Sequence, residues 1–88
     1  MTEKTVKVIN SLGIHARPAS LVVQTAIKFK SSIQLIKDGA CADAKSIMSV
    51  MMLAAAQDSS VIIRANGEDE AEAVEAIIKL FELKFNEE

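Results

Sequence analysis

The chain is organised around residues 13–19, which read GIHARPA. This run contains the single histidine and the single proline of the 88-residue chain. Pro18 suits the first turn of a helix, because a backbone N–H there would have no helical partner anyway. The apolar residues that follow at helical spacing are Ala19, Val22, Val23, Ala26 and Ile27. The pattern predicts a helix with one buried face that begins at or just after His15.

His15 therefore lies where a helix presents backbone N–H groups and the positive end of its dipole. Such an end binds phosphate, and the Arg17 guanidinium can clamp the same anion through two hydrogen bonds. Both neighbours disfavour the imidazolium form, so the ring is expected to stay neutral and nucleophilic near pH 7. We hypothesise that His15 carries a phosphoryl group reversibly. The alternative interpretation is an ordinary surface or capping histidine.

Composition predicts one domain over residues 1–88, because half of the residues are hydrophobic and can form a core. One cysteine permits neither an internal disulfide nor a CxxC site, and we predict no metal and no cofactor. A reducing cytoplasm fits this cysteine usage. We see no signal peptide and no apolar run long enough to insert into a membrane.

The net charge of −2 is distributed unevenly. Residues 68–88 contain eight acidic and two basic groups, whereas residues 1–67 contain eight basic and four acidic groups. A mildly basic body would steer an acidic protein partner towards His15, although an ordinary solvated helix explains the acidic end equally well. Nucleic acid is not an expected partner, because there is no basic stripe and only three aromatic residues are present.

Periodicity predicts the element order β-α-β-β-α-β-α. The predicted strands are 2–9, 33–37, 40–43 and 60–65, and the predicted helices run from the GIHARPA stretch to about residue 29, over 44–53 and from about 68 onwards. Asp38-Gly39 is a two-residue hairpin signal, since both positions favour positive φ. Four strands with one apolar face, covered by three amphipathic helices, make a two-layer α+β open-faced sandwich.

Several side chains carry separate expectations. Ser46 is the natural N-cap of the second helix, and Cys41 is expected to pack as a small apolar residue. The apolar stripe of the last helix is expected to comprise Val74, Ile77, Ile78, Phe81 and Phe85. The second helix is too short to bury all of its apolar residues. We expect Ile47 and either Met48 or Met51 to be exposed, with complete burial as the open alternative.

Three segments together resemble the HPr family, the histidine-containing phosphocarriers of the bacterial phosphoenolpyruvate-dependent sugar phosphotransferase system. They are GIHARPA at 13–19, KSIM at 45–48 and NGEDE at 66–70. The resemblance covers essentially the whole chain. It implies an antiparallel sheet with the helices on one face, and a cytoplasmic carrier rather than an enzyme. It also implies that enzyme I phosphorylates His15 on Nδ1, that Ala16 and Arg17 bind the phosphoryl group, and that the A domain of a sugar-specific enzyme II receives it.

The same resemblance implies a docking surface on the first two helices. Its residues in this chain are Ala16, Ser20, Gln24, Ile27, Ile47, Met48 and Met51. Ser46 resembles the regulatory serine that a dedicated HPr kinase/phosphorylase modifies. A phosphate there would meet helix N–H groups and place negative charge beside the docking surface. The chain departs from the family pattern at Ser49, where glycine is common, and at Met52, where serine is common. Residues 54–56 and 58–59 also lack glycines that are common nearby, and these departures bear on packing and partner fit.

Two further interpretations stay open. One is a regulatory protein of the same fold that binds a transcriptional regulator after Ser46 phosphorylation, or that serves a nitrogen-related or incomplete phosphotransferase system. The other is a generic ferredoxin-like binding module. A metal chaperone would need CxxC and an RNA-binding sheet would need exposed aromatics, and neither feature occurs here.

Overall fold

The computed structural model describes residues 1–86. Within that range the chain forms four strands and three helices in the predicted order. The elements are β1 (Thr2–Lys7), α1 (Ala16–Ala26), β2 (Ser32–Lys37), β3 (Ala40–Asp43), α2 (Ile47–Met52), β4 (Ser60–Asn66) and α3 (Glu70–Glu82). A short 3-10 helix, Lys84–Asn86, follows α3. The hairpin prediction is confirmed, since Asp38 and Gly39 have φ of +51° and +82°.

The strands form one antiparallel sheet in the order β1-β4-β2-β3. In the central pair, Leu35 lies opposite Ile63 and Ile33 lies opposite Ala65. All four side chains are buried, so one face of the sheet is apolar. Helix α3 packs over β1, β2 and β4, and α1 packs against both α2 and α3. The predicted two-layer α+β sandwich with helices on one face is confirmed.

Two phenylalanines close the core near the C-terminal end of α3. The rings of Phe81 and Phe85 pack edge to face with centroids 4.9 Å apart, and both are fully buried. The prediction that Phe85 belongs to the stripe of the last helix is wrong, because α3 ends at Glu82. Left-handed backbone at Lys84 and Phe85, with φ of +53° and +54°, turns the chain back so that the second ring reaches the first.

Helix α1 ends at Ala26, earlier than predicted, and Ile27 is not on its buried face. The N–H groups of Lys28 and Phe29 donate to carbonyls three residues earlier, which tightens the last turn. This turn packs Phe29 rather than Ile27 against the core. The Ile27 side chain is left 61% exposed.

Cys41 is exposed, so the prediction that it packs as an apolar residue is wrong. It lies on β3, the strand at one edge of the sheet, opposite Ile36. Its neighbour Ala42 faces the core opposite Leu35. Because side chains alternate along a strand, Cys41 points to the face away from the helices.

Asp69 ties the start of α3 to the segment between α1 and β2. Its carboxylate accepts hydrogen bonds from the Ser31 hydroxyl and from the backbone N–H groups of Lys30 and Ser31. The Ser31 hydroxyl is the main cause that lowers the pKa of Asp69 to about 2. Gly67 packs so close to Ser31 that a Cβ there would lie 2.6 Å from the Ser31 Oγ.

Candidate functional site

The loop between β1 and α1, which leads to His15, is hydrogen-bonded to the segment that follows α2. The Ile14 N–H donates to the Ala55 carbonyl at 2.8 Å, and Ile14 itself is buried. Gly13 has φ of +69°, and a Cβ on it would lie 2.5 Å from the Ala55 oxygen. Only glycine fits both the conformation and the space. Residues 10–13 form a turn, in which the Gly13 N–H donates to the Asn10 carbonyl.

His15 is the N-cap of α1, as the position of Pro18 predicted. Its backbone is extended (φ −115°, ψ −161°), its side chain is half-buried, and its ring makes no capping hydrogen bond to the helix. The first helical bond runs from the Ala19 N–H to the His15 carbonyl at 3.0 Å. The N–H groups of Ala16 and Arg17 precede that bond, and Pro18 has none. These two groups and the helix dipole make the end of α1 suitable for an anion beside the imidazole.

Arg17 is exposed on the same first turn, and its guanidinium is held by the C-terminal segment. Its Nη1 donates to the Phe85 carbonyl at 2.6 Å. The side chain therefore starts from a defined position and uses one of its five N–H donors in this bond. Sequence reasoning missed this contact, because a backbone carbonyl 68 residues away carries no residue signal.

Ser46 is the N-cap of α2, which confirms that prediction. Its hydroxyl accepts a hydrogen bond from the Ser49 N–H at 3.3 Å, and the Ser49 hydroxyl in turn accepts from the Asp43 N–H. Lys45 Nζ donates to the Phe29 carbonyl at 2.9 Å. The start of α2 therefore lies at the end of α1, away from His15.

The opposite end of α2 lies beside the His15 loop, because Ala55 follows α2 and bonds to Ile14. The two helices thus run in roughly opposite directions, with Ser46 and His15 near opposite ends of α2. Six helical residues separate these ends, or about 9 Å along the axis. A protein docked over both helices would cover both positions.

The predicted docking surface has large apolar side chains in solvent. Met48 is 68% exposed, and Ile27, Ile47 and Met51 are also exposed. The remaining members are Ala16 and Gln24, both exposed, and half-buried Ser20, to which Gln24 donates a hydrogen bond. The open alternative that all apolar residues of α2 are core is wrong. Sequence reasoning missed Met52 and Leu12, which are 78% and 73% exposed.

Among residues 1–86, no group of three or more His, Cys, Asp or Glu side chains could hold a metal ion. The helices in the same range are all too short or too polar to cross a membrane.

Comparison with known proteins gives one consistent result. The sequence model of the family PTS-HPr, described as the PTS HPr component phosphorylation site, matches residues 2–82. The phosphocarrier protein HPr of Treponema pallidum (strain Nichols) is 49% identical over 88 residues, covering all of both chains. The crystal structure of HPr-C-His from Thermoanaerobacter tengcongensis has a TM-score of 0.95 at 49% identity, covering 100% of this chain and 99% of that chain. Crh, the Bacillus subtilis catabolite repression protein, solved as a dimer with swapped domains, has a TM-score of 0.76 at 42% identity, covering 96% of this chain and 97% of that chain.

Proposed function

The chain belongs to the HPr family of phosphocarriers of the phosphotransferase system, and on this premise we propose that His15 is the residue that carries the phosphoryl group. Enzyme I would donate the group to Nδ1, and the A domain of a sugar-specific enzyme II would accept it. The observation that carries the proposal is the place of His15 as the half-buried N-cap of α1. His15 is only half-buried, and it directly precedes the residues whose N–H groups suit an anion.

The transfer needs a neutral ring and a means of balancing the charge of the phosphoryl group. The lone pair of Nδ1 forms the bond to phosphorus as the bond from phosphorus to the donor breaks. The backbone N–H groups of Ala16 and Arg17 then face the phosphoryl oxygens. The Arg17 guanidinium would leave the Phe85 carbonyl, or share it, to add charge-assisted hydrogen bonds. The protein is modified and restored in each cycle, which is the role of a carrier rather than of an enzyme.

Partner recognition would use the surface formed by α1 and α2. Exposed Met48, Met51, Ile27 and Ile47 offer adaptable apolar contacts. The basic excess of residues 1–67 favours a partner with an acidic docking face. The single cysteine fits a reducing compartment, and the proposed location is the cytoplasm.

We also propose that Ser46 is a regulatory phosphorylation site for an HPr kinase/phosphorylase. Its hydroxyl is half-buried and already accepts a helix N–H, which a phosphate would continue to do. The added charge of about −2 would lie one and two residues from Ile47 and Met48 and repel an acidic partner. Incubation with such a kinase should label Ser46, located by mass spectrometry. A labelled chain with unmodified Ser46 would contradict this part.

The carrier role is tested by mixing the protein with enzyme I and phosphoenolpyruvate. We expect one acid-labile, base-stable phosphate on the parent chain and none on His15→Ala, with both proteins equally folded by circular dichroism. Adding an enzyme II A domain should discharge the parent. Equal labelling of His15→Ala, or a parent chain that stays unlabelled, would contradict the proposal.

The second candidate is a regulator that acts by binding a transcriptional regulator, as the similarity to Crh suggests. In that case Ser46 phosphorylation would raise affinity for the regulator, and the chain could still exchange phosphate in a nitrogen-related or incomplete system. The presence of His15 at the start of α1 favours the carrier. A chain that binds a regulator yet takes no phosphate from enzyme I would favour the second candidate.

A further inference from the structure

We propose that Asn10 is a positioning residue for His15, an inference that rests on the proposed carrier function. Asn10 is fully buried, which is unusual for an asparagine, and it lies in the loop that leads to His15. Its contacts point to a role in holding the histidine loop in the conformation that presents the ring.

Two reciprocal hydrogen bonds join Asn10 to Gly13. The Asn10 side-chain Nδ2 donates to the Gly13 carbonyl at 2.7 Å, and the Gly13 N–H donates to the Asn10 carbonyl at 3.2 Å. Ser11 and Leu12 form the exposed tip between them. The side chain therefore bonds to the residue at the far end of the turn, two positions before His15.

Both flanks of this turn are fixed to the segment that follows α2. On one side, Val8 exchanges two backbone hydrogen bonds with Ser59 and Asp58, at 2.9 and 2.7 Å. On the other side, the Ile14 N–H donates to Ala55. Asn10 lies between these anchors, so its amide sets how the loop bends from one to the other.

The Gly13 carbonyl depends on this amide, because the bond is buried and water cannot easily replace the donor. Without it, the peptide between Gly13 and Ile14 is expected to rotate to find another partner. His15 follows directly, and its extended backbone sets the direction of the ring relative to the N–H groups of Ala16 and Arg17. Small displacements of a reacting group can slow a reaction strongly while leaving binding intact.

The test compares Asn10→Ala and Asn10→Ser with Val74→Ala. Serine is a good turn residue but is too short to reach the Gly13 carbonyl, so it keeps the question answerable if the alanine variant folds poorly. Val74→Ala removes fully buried side-chain volume from α3, away from the loop, and serves as the control for lost stability. All four proteins are assayed where thermal melts show them folded.

We expect the Asn10 variants to be phosphorylated by enzyme I with a kcat reduced about tenfold and a KM close to that of the parent chain. In ¹H–¹⁵N spectra their Gly13, Ile14 and His15 amide signals should move, whereas Val74→Ala should leave both the rate and these signals unchanged. The inference is overturned if a folded Asn10 variant keeps the parent kcat, if only KM rises, or if Val74→Ala is slowed equally. If the parent itself takes no phosphate, the carrier function has failed. In that case the positions of the amide signals still test the positioning role, and it is overturned if the signals of the Asn10 variants do not move.

Discussion

Ala54 holds a left-handed backbone conformation, with φ of +51°, at the exposed turn after α2. This conformation destabilises a residue with a Cβ by about 1–2 kcal/mol, whereas glycine adopts it freely. Glycine also lowers the free energy of unfolding by roughly 0.5–1 kcal/mol relative to alanine, because it gives the unfolded chain more conformational freedom. We therefore expect Ala54→Gly to raise the free energy of unfolding by about 0.5–1 kcal/mol in urea denaturation. Ala56→Gly, at an exposed position without positive φ, is the control and should lower it. A loss of stability in both variants would contradict the strain.

The Arg17 guanidinium is proposed to contact the phosphoryl group, whereas Arg64, the other arginine of the chain, lies on the sheet. Arg17→Lys keeps the charge but loses the planar fork that binds two phosphoryl oxygens. We expect His15 phosphorylation to slow by roughly tenfold or more, with less than about 1 kcal/mol lost from the free energy of unfolding. Arg64→Lys is the matched control, since Arg64 Nε pairs with Glu3 at 2.6 Å on the sheet. Equal rates for the two lysine variants would argue against a role for Arg17 in transfer.

Side chains governed by their immediate neighbours were predictable from the sequence, and those governed by distant pairing were not. The capping positions of His15 and Ser46 follow from rules that act within three or four residues. The outward direction of Cys41 depends on how β3 pairs with β2, and the partner of Arg17 depends on where the chain returns after α3. No short stretch of sequence contains that information.

At the scale of elements, the start of α3 is fastened by two carboxylates with lowered pKa values. The Thr2 hydroxyl, the N-terminal ammonium and the Gly67 N–H lower the pKa of Glu70 to about 2, from an ordinary 4.5. Asp69 is lowered from 3.8 to about 2, chiefly by Ser31. The unfolded chain therefore binds protons at these groups at higher pH than the folded chain. Their stabilisation is complete above about pH 4.5 and is lost as the pH falls towards 2.

The lowered pKa of Asp69 predicts how Asp69→Asn changes the dependence of stability on pH. The variant should melt at a lower temperature than the parent at pH 7, because the charged acceptor of three hydrogen bonds is gone. Between pH 4 and pH 2 its melting temperature should fall less steeply than that of the parent. Glu68→Gln, the adjacent exposed carboxylate, is the control and should follow the parent curve. Parallel curves for Asp69→Asn and the parent would contradict the assignment.

Element order was predictable because each segment has its own hydrophobic period, whereas element ends were less so. Helix α1 stops at Ala26 although apolar residues continue at helical spacing to Ile27. The tightened turn that ends α1 packs Phe29 against the core. This contact depends on the tertiary structure, which helical periodicity does not reveal. Likewise, apolar residues continue at helical spacing to Phe85, so the sequence pattern gives no sign of the left-handed turn at 84–85.

At the scale of the whole molecule, the topology gathers features that are far apart in the sequence. The strand order β1-β4-β2-β3 places α1 and α2 side by side on one face of the sheet. The opposite face carries Gln34, between the buried residues Ile33 and Leu35. The sequence alone predicted two layers, and the resemblance to the HPr family implied that the sheet is antiparallel. The molecule thus has a helical face with exposed apolar side chains and a sheet face without a proposed partner.

This asymmetry predicts different results for the same added charge on the two faces. Met48→Glu places a carboxylate on the proposed docking surface, where it would lose apolar contact and repel an acidic partner. We expect KM for phosphorylation by enzyme I to rise about tenfold, with kcat and melting temperature nearly unchanged. Gln34→Glu adds the same charge on the sheet face and should leave all three values at the parent level, since Gln34 is exposed there. Because net charge is identical in the two variants, a matching rise in KM would mean that overall charge governs the encounter. A rise in Met48→Glu alone would mean that partners bind over α2.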